Sequence, residues 1–313
     1  MPSSIHRLVV SLTLLGLTAL PTRGAEPPKV LASIKPLHSL AANSMAGAGQ
    51  PALLMRATAS SHIYTLRPSD ARSIAQADVI FWIGPAYESF MAKAVQGVAR
   101  QTRVVEIGEL PGIRLLPVRH GGVWAEHDEA AHAQSGDEDN ETDMHLWLDI
   151  DNAQAIAWAM TAALTAADPA NGALYEANAA HLTERLADLD EELRETLAPA
   201  AGKPYIVFHD AYHYLERRYG LLPVGSITVT PDRVPGPRRL SELRRAIVDR
   251  KAACVFSEPQ FTSSLVATVT NGTPARSGTL DALGSTTVDG TDGYFATMRA
   301  LAGSLVGCLG EPG

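Results

Sequence analysis

Residues 171–198, NGALYEANAAHLTERLADLDEELRETLA, decide the architecture that we predict for this chain. Leucine and other apolar residues recur there at spacings of three and four among Glu, Asp and Arg, which indicates an amphipathic helix. Pro169 precedes the run and Pro199 follows it, and both limit the extent of the helix. About 28 residues at a rise of 1.5 Å make a helix about 40 Å long. We therefore predict a stiff strut between two halves of the chain.

Both halves alternate between short apolar runs and helical patterns, as βαβ units on a parallel sheet do. The first half predicts strands at 30–34, 52–55 and 79–83, with helices at 37–45 and 68–76. The second half predicts strands at 205–208, 227–229 and 253–256, with helices at 211–219 and 238–250. We predict an α/β fold of two lobes, residues 25–170 and 200–313, each with a mostly parallel sheet flanked by helices and joined by the rigid helix 171–199.

The amino-acid composition of the chain excludes some classes of protein. With 46% hydrophobic and 19% charged residues in 313, the chain has ample material for a large core, which excludes wholesale disorder. The formal net charge of −8 has the wrong sign for a protein that neutralises phosphates, and no basic cluster is interleaved with aromatic residues. Nucleic acid is therefore excluded as an expected partner.

The first residues have the pattern of an export signal. The apolar run Leu8–Leu20 follows His6 and Arg7, and it is shorter than the roughly 20 residues that a membrane-spanning helix needs. We predict a signal peptide at residues 1–24. No cysteine follows the run, so we expect no lipid anchor and no other direct membrane anchor. The expected location is the periplasm.

The two cysteines, Cys254 and Cys308, both lie near the end of the chain. In an oxidising compartment an isolated pair is expected to form a disulfide. Two buried thiols remain the alternative.

An acidic segment, residues 120–143, belongs to neither α/β pattern. It is rich in Asp and Glu, lacks Lys and Arg, and carries His120, His127 and His132. A solvated loop and a weak metal-collecting loop are both consistent with this composition.

Three histidines near predicted strand ends are candidate ligands: His62, His145 and His209. Residues at the carboxyl ends of parallel strands converge on one crevice, and Asp281 is placed to join them after a predicted strand at 275–280. Spacing alone is weak evidence, because ordinary core or surface histidines would give the same pattern.

The segments SIKPLHSL, SSHIYTLRPSDARSIAQADVIFWIGPAYESFM, MHLWLD, VFHDAYHYLE, CVFSEPQF and GTLDALG occur in this order. Together they resemble the zinc-specific substrate-binding proteins of bacterial ABC importers, the ZnuA type. The resemblance implies a zinc site between two lobes with His62, His145 and His209 as ligands and Asp281 or water as the fourth. It also implies a bridge between Cys254 and Cys308.

The resemblance further implies a binding protein, not an enzyme, which carries Zn²⁺ as its transported ligand. The expected partner is an ABC permease membrane subunit with its ATPase, and the expected state is a monomer. Some relatives have Glu directly before the first histidine, where this chain has Ser61. Manganese-binding relatives have Glu where this chain has His209.

Three imidazoles with water or one carboxylate suit tetrahedral Zn²⁺ better than Mn²⁺, whereas copper and nickel also bind imidazole well. A secreted zinc hydrolase or hydratase is the alternative function, although the chain has neither a GxSxG nor an HExxH motif. The missing lipid-anchor cysteine disfavours a metal-dependent adhesin. For His38 we expect a structural role, for His213 a second ion or a supporting hydrogen bond, and for Asp210 either a helix cap or a contact with the site.

Overall fold

The computed structural model of the chain describes residues 26–55, 60, 64–119, 124, 142–228, 235–261 and 264–310. The predicted signal peptide lies outside the described residues, as do His62 and the three histidines of the acidic segment. Within the described ranges, no helix is both long enough and apolar enough to cross a membrane.

The first half of the chain forms a parallel sheet with the strand order β2-β1-β3-β4. Its strands are β1 (Val30–Ala32), β2 (Ala52–Leu53), β3 (Val79–Trp82) and β4 (Arg103–Glu106). Its helices are α1 (Lys35–Ser44), α2 (Pro68–Gln76) and α3 (Ala92–Gln96). Pro36 and Pro68 lie in the first turns of α1 and α2, where a missing N–H costs nothing because that donor has no partner within the helix.

The middle of the chain begins with a short antiparallel pair, β5 (Leu116–Pro117) and β6 (Thr142–Asp143). It continues with helices α4 (Ile150–Ala167) and α5 (Gly172–Leu197), and α5 has 26 residues. Three-residue 3₁₀ helices at Pro169–Asn171 and Ala198–Ala200 extend α5 at its two ends. The predicted long helix is therefore confirmed.

The second half forms another parallel sheet, with the order β10-β9-β7-β8. Its strands are β7 (Pro204–Val207), β8 (Leu222–Ser226), β9 (Cys254–Ser257) and β10 (Arg276–Thr279). Its helices are α6 (His213–Tyr219), α7 (Pro237–Asp249), α8 (Ser264–Thr270) and α9 (Gly293–Leu309). The predicted α/β class with two parallel sheets is confirmed, whereas the proposed lobe boundaries stay a prediction.

The central strands β1, β3, β7 and β9 are buried on both faces, which explains their nearly continuous apolar runs. Successive side chains point to opposite faces of a strand. The faces that meet in one central core contribute Val30, Val79, Phe81, Tyr205 and Phe256. The opposite faces bury Leu31 and Ile80 in one smaller cluster and Ile206 and Val255 in another. A single core therefore runs through both halves of the chain.

Directed hydrogen bonds also join the two halves. The indole Nε1 of Trp147 donates to the carbonyl oxygen of Ala282 at 2.9 Å, and the hydroxyl of Tyr294 donates to the carbonyl oxygen of Trp147 at 2.8 Å. The backbone N–H of Tyr294 donates to Ser39 Oγ at 2.9 Å. Trp147 and Tyr294 are almost fully buried, so these bonds fix the two sheets in one relative position.

Two local predictions are wrong. We predicted a strand at 227–229, but the strand is β8 at Leu222–Ser226, and Val229 lies outside the described residues. Strand β8 lies at the edge of its sheet, where Pro223 is tolerated. The apolar run LWL after His145 has a β-like sequence, but it forms a 3₁₀ helix, Leu146–Leu148.

The predicted disulfide between Cys254 and Cys308 is present, and it joins β9 to α9. The two cysteines are 54 positions apart, so the bond closes a long loop in the unfolded chain. Replacing both cysteines with alanine should lower the free energy of unfolding by about 4 kcal/mol, because the unfolded chain regains loop entropy. Urea unfolding followed by circular dichroism measures this loss.

Reduced wild-type protein is the matched control, and it should lose a similar amount of stability. A loss below about 1 kcal/mol in the double variant would show that the bridge contributes little beyond an ordinary pair of side chains.

Candidate metal site

His145 lies two residues beyond the end of β6 and directly before the 3₁₀ helix Leu146–Leu148, and only 7% of it is exposed. Its ring Nδ1 lies 2.8 Å from Asp143 Oδ1, and its backbone N–H donates to the same oxygen at 3.0 Å. Burial by itself would raise the pKa of Asp143, but the attraction of His145 and these hydrogen bonds lower it. Asp143 therefore stays ionised and holds the ring by its Nδ1 side.

His209 lies two residues beyond the end of β7, and 6% of it is exposed. Its Nδ1 lies 2.6 Å from Oε1 of Glu258, which directly follows β9. Burial by itself would lower the pKa of His209, but the charge of Glu258 and the hydrogen bond to it raise the pKa. The two parallel strands β7 and β9 thus bring a histidine and its carboxylate partner together at their carboxyl ends.

The two rings face each other across the junction of the halves. Nε2 of His145 lies 3.3 Å from Nε2 of His209. In each neutral ring an Nδ1–H that donates to a carboxylate leaves Nε2 as the lone-pair nitrogen. Two nitrogens that are each 2.0–2.1 Å from a tetrahedral zinc ion lie about 3.3 Å apart. The pair therefore already has the separation that a shared zinc ion requires.

A small, partly open cavity surrounds this pair. Its lining is formed by Ser60, Tyr87, His145, His209, Glu258, Gln260, Phe261, Ala282 and Leu283. The ring of Tyr87 meets the ring of His145 edge-on, with 5.3 Å between the centroids. The ring of Phe261 meets the ring of His209 in the same way at 6.2 Å. These aromatic contacts restrict rotation of the imidazoles and cover them from water.

The carboxylate of Asp281 accepts hydrogen bonds from nearby side chains. Gln260 Nε2 donates to Oδ1 at 3.1 Å, and Ser285 Oγ donates to Oδ2 at 2.7 Å. The two residues that follow Asp281 line the cavity. The structure thus places Asp281 beside the site, with both carboxylate oxygens already accepting hydrogen bonds.

His62 lies outside the described residues, although Ser60, two positions before it, lines the cavity. Among the residues that the structure describes, no group of three or more His, Cys, Asp and Glu side chains could hold a metal ion. Three members of the predicted ligand set are described: His145 and His209 face each other, and Asp281 lies beside the site.

The remaining candidates have structural contacts. His38 Nε2 lies 3.1 Å from the carbonyl oxygen of Pro51, and burial lowers the pKa of His213 at the start of α6. Asp210 accepts from Arg119 Nε at 2.9 Å and also pairs with Arg119 Nη2, so it joins the two halves. The residue that caps α6 is Tyr212, so the cap that we considered for Asp210 is wrong.

Asp143 and Glu258 are the functional residues that sequence reasoning missed. Asp143 was counted as the last residue of the acidic segment, although it belongs to β6. Its position two residues before His145 is a usable signal, because a carboxylate often orients a metal-binding histidine. Glu258 lies 49 positions from His209, and its place directly after a buried strand is the corresponding signal.

Comparison with known proteins identifies the family of this chain. The family described as "Zinc-uptake complex component A periplasmic" matches residues 30–308. The high-affinity zinc uptake system protein ZnuA of Brucella suis is 40% identical over 306 residues, which cover 90% of this chain and 92% of the relative. The protein of the same description from Yersinia pestis is 37% identical over 293 residues, 90% of this chain and 91% of the relative.

The fold has a close counterpart among solved structures. A crystal structure of ZnuA superposes with a TM-score of 0.76 at 21% identity, and the match covers 90% of this chain and 99% of the other. Because the family match covers almost the whole chain, the family assignment applies to both halves and to the helix between them. The chain belongs to the family of periplasmic zinc-uptake complex components that this description names.

Proposed function

We propose that this protein captures Zn²⁺ in the periplasm and delivers it to an ABC permease membrane subunit with its ATPase. His62, His145 and His209 bind the ion, and Asp281 or water completes a tetrahedral shell. The protein acts as a monomeric carrier without catalytic turnover, and the acidic segment 120–143 collects cations weakly through His120, His127 and His132. Membership of the zinc-uptake family and the names of its relatives support this role.

The separation of the two imidazole nitrogens carries the proposal. The distance of 3.3 Å between His145 Nε2 and His209 Nε2 matches the edge of a tetrahedral zinc site. Two buried carboxylates lie against the Nδ1 atoms, which leaves Nε2 of each neutral ring as the nitrogen that binds a metal ion. Imidazole is a preferred ligand of zinc.

The two carboxylates that contact the imidazole rings support the proposed histidine ligands. Asp143 and Glu258 each accept from a histidine Nδ1, and such support increases the basicity of the ring and fixes its orientation. A site whose carboxylates orient its histidines is suited to holding an ion tightly, as a carrier must.

Replacing any one of the three histidines, His62, His145 or His209, with alanine should weaken zinc binding by more than about a hundredfold. Loss of a supporting residue alone costs 10–100-fold, and loss of a ligand costs more. Asp281→Ala should have a smaller effect because water can replace a carboxylate. Competition titration of the mature protein against a chromophoric zinc chelator measures the dissociation constants.

His181→Ala is the matched control, because it also removes one histidine. The side chain of His181 lies on α5 and is 73% exposed, unlike the buried histidines of the site. Wild-type zinc affinity in all three ligand variants would place the zinc site elsewhere in the protein.

Glu258→Gln should weaken zinc binding by about 10–100-fold, because a neutral amide supports the His209 ring less well than a carboxylate. Glu242→Gln, on the outer helix α7, is the control that removes one negative charge away from the site. Isothermal titration of both variants gives the affinities. Equal zinc affinity for both would show that Glu258 does not act on His209.

Zinc affinity should fall as the pH decreases, because protons compete for the ligand nitrogens. An unperturbed histidine titrates near pH 6.5, and the pKa of His209 is raised by Glu258 against the effect of burial. Zinc binding should therefore be strongest above the raised pKa of His209. As the pH is lowered, the zinc affinity should begin to fall before the pH reaches 6.5. Titrations at several pH values between 8 and 5 measure the effect, and a constant affinity over that range would contradict a histidine site.

A further inference from the structure

Two side chains and one backbone N–H donate hydrogen bonds to the Asp281 carboxylate. Ser285 Oγ and the backbone N–H of Thr286 donate to Oδ2 at 2.7 and 3.3 Å. The amide of Gln260 donates to Oδ1 at 3.1 Å from another segment of the chain. The carboxylate thus accepts three hydrogen bonds, which fix its direction.

The turn that carries Asp281 is itself tightly constrained. The backbone N–H of Gly284 donates to the carbonyl oxygen of Asp281 at 3.2 Å, and Gly284 has a φ of +63°. A Cβ at Gly284 would clash with Thr297 Oγ1, and the positive φ also favours glycine there. The turn therefore depends on Gly284, and the direction of the Asp281 side chain depends on its hydrogen-bond donors.

Gln260 lies between this turn and the cavity. It lines the cavity together with its neighbours Glu258 and Phe261, both of which contact the His209 ring. Of the two adjacent described residues Asp281 and Ala282, Ala282 lines the cavity and Asp281 does not. The same short segment therefore orients one proposed ligand and restrains another.

We propose that Gln260 and Ser285 act as selectivity residues that keep the Asp281 carboxylate out of the metal shell. This inference rests on the proposed zinc-binding function. With Asp281 restrained, the shell consists of imidazoles and water, which suits tetrahedral Zn²⁺. A released Asp281 adds an anionic oxygen ligand, which favours harder cations of higher coordination number such as Mn²⁺.

The test uses two variants of the full mature protein, Gln260→Met and Ser285→Ala, each of which removes one hydrogen bond to Asp281. Methionine keeps the length of glutamine but cannot donate. Zinc and manganese dissociation constants are measured by competition titration for each variant and for the wild type. We expect the preference for zinc over manganese to fall by about tenfold in each variant, the size of effect that one charge-assisted hydrogen bond has on an equilibrium.

If Gln260 or Ser285 had only a structural role, its replacement would weaken zinc binding and manganese binding equally. The ratio of the two dissociation constants would then stay unchanged. An unchanged ratio in both variants, with zinc still bound at one equivalent, would overturn the inference and leave the zinc-binding function intact. Failure of the wild type to bind zinc tightly would instead refute the proposed function.

The Asp281→Asn background provides the decisive control. Asparagine can still accept from Ser285 and Thr286 and can pair with the Gln260 amide, but it carries no charge to offer to manganese. In this background Gln260→Met should leave the zinc-to-manganese ratio unchanged, since the coupled partner is absent. A fall of the ratio that persists in the double variant would show that Gln260 acts on the metals without Asp281.

Discussion

The apolar core shared by the two sheets fixes the distance on which the metal site depends. His145 belongs to the first half of the chain and His209 to the second, so their separation is set by how the halves pack. Trp147, two residues after His145, lies in that core and donates to Ala282, which lines the same cavity. The packing of buried aromatic side chains thereby determines a nitrogen-to-nitrogen distance of 3.3 Å.

This coupling between core and site limits how the protein can release its ion. Moving the halves apart would expose Trp147 and Tyr294, and the loss of each buried aromatic ring costs about 3 kcal/mol. The long helix α5 has Leu182, Leu186, Leu189 and Leu193 buried in the same core, so it cannot act as a hinge without losing these contacts. A rearrangement of local segments at the cavity, such as the one that carries Glu258, Gln260 and Phe261, is the motion of lower cost.

The parts of the fold that the sequence predicts well are those with a strong local pattern. The apolar runs of β1, β3, β7 and β9 are nearly continuous because both faces of each strand are buried, and the leucine spacing of α5 marks its buried side. Strand β8 contains Pro223, which is tolerated because the strand lies at the edge of its sheet, so its sequence gives a weaker strand pattern than the central strands do. The facing of His145 and His209 depends on contacts between residues 64 positions apart, which no local pattern contains. The roles of Glu258 and Gln260 were missed for the same reason, since their partners lie 49 and 21 positions away. Asp143 lies two residues from His145, and its role was missed because it was assigned to the acidic segment.

The most direct test of the central claim is a crystal structure of the zinc-loaded protein with anomalous data collected at the zinc absorption edge. We predict one strong peak about 2.0–2.1 Å from Nε2 of both His145 and His209, with His62 as a third nitrogen ligand. The hydrogen bond from Trp147 to Ala282 should persist, because the core that fixes the site does not open. A principal peak away from this histidine pair, or a pair brought together only by repacking of the core, would contradict the claim that the fold prepares the site before zinc binds.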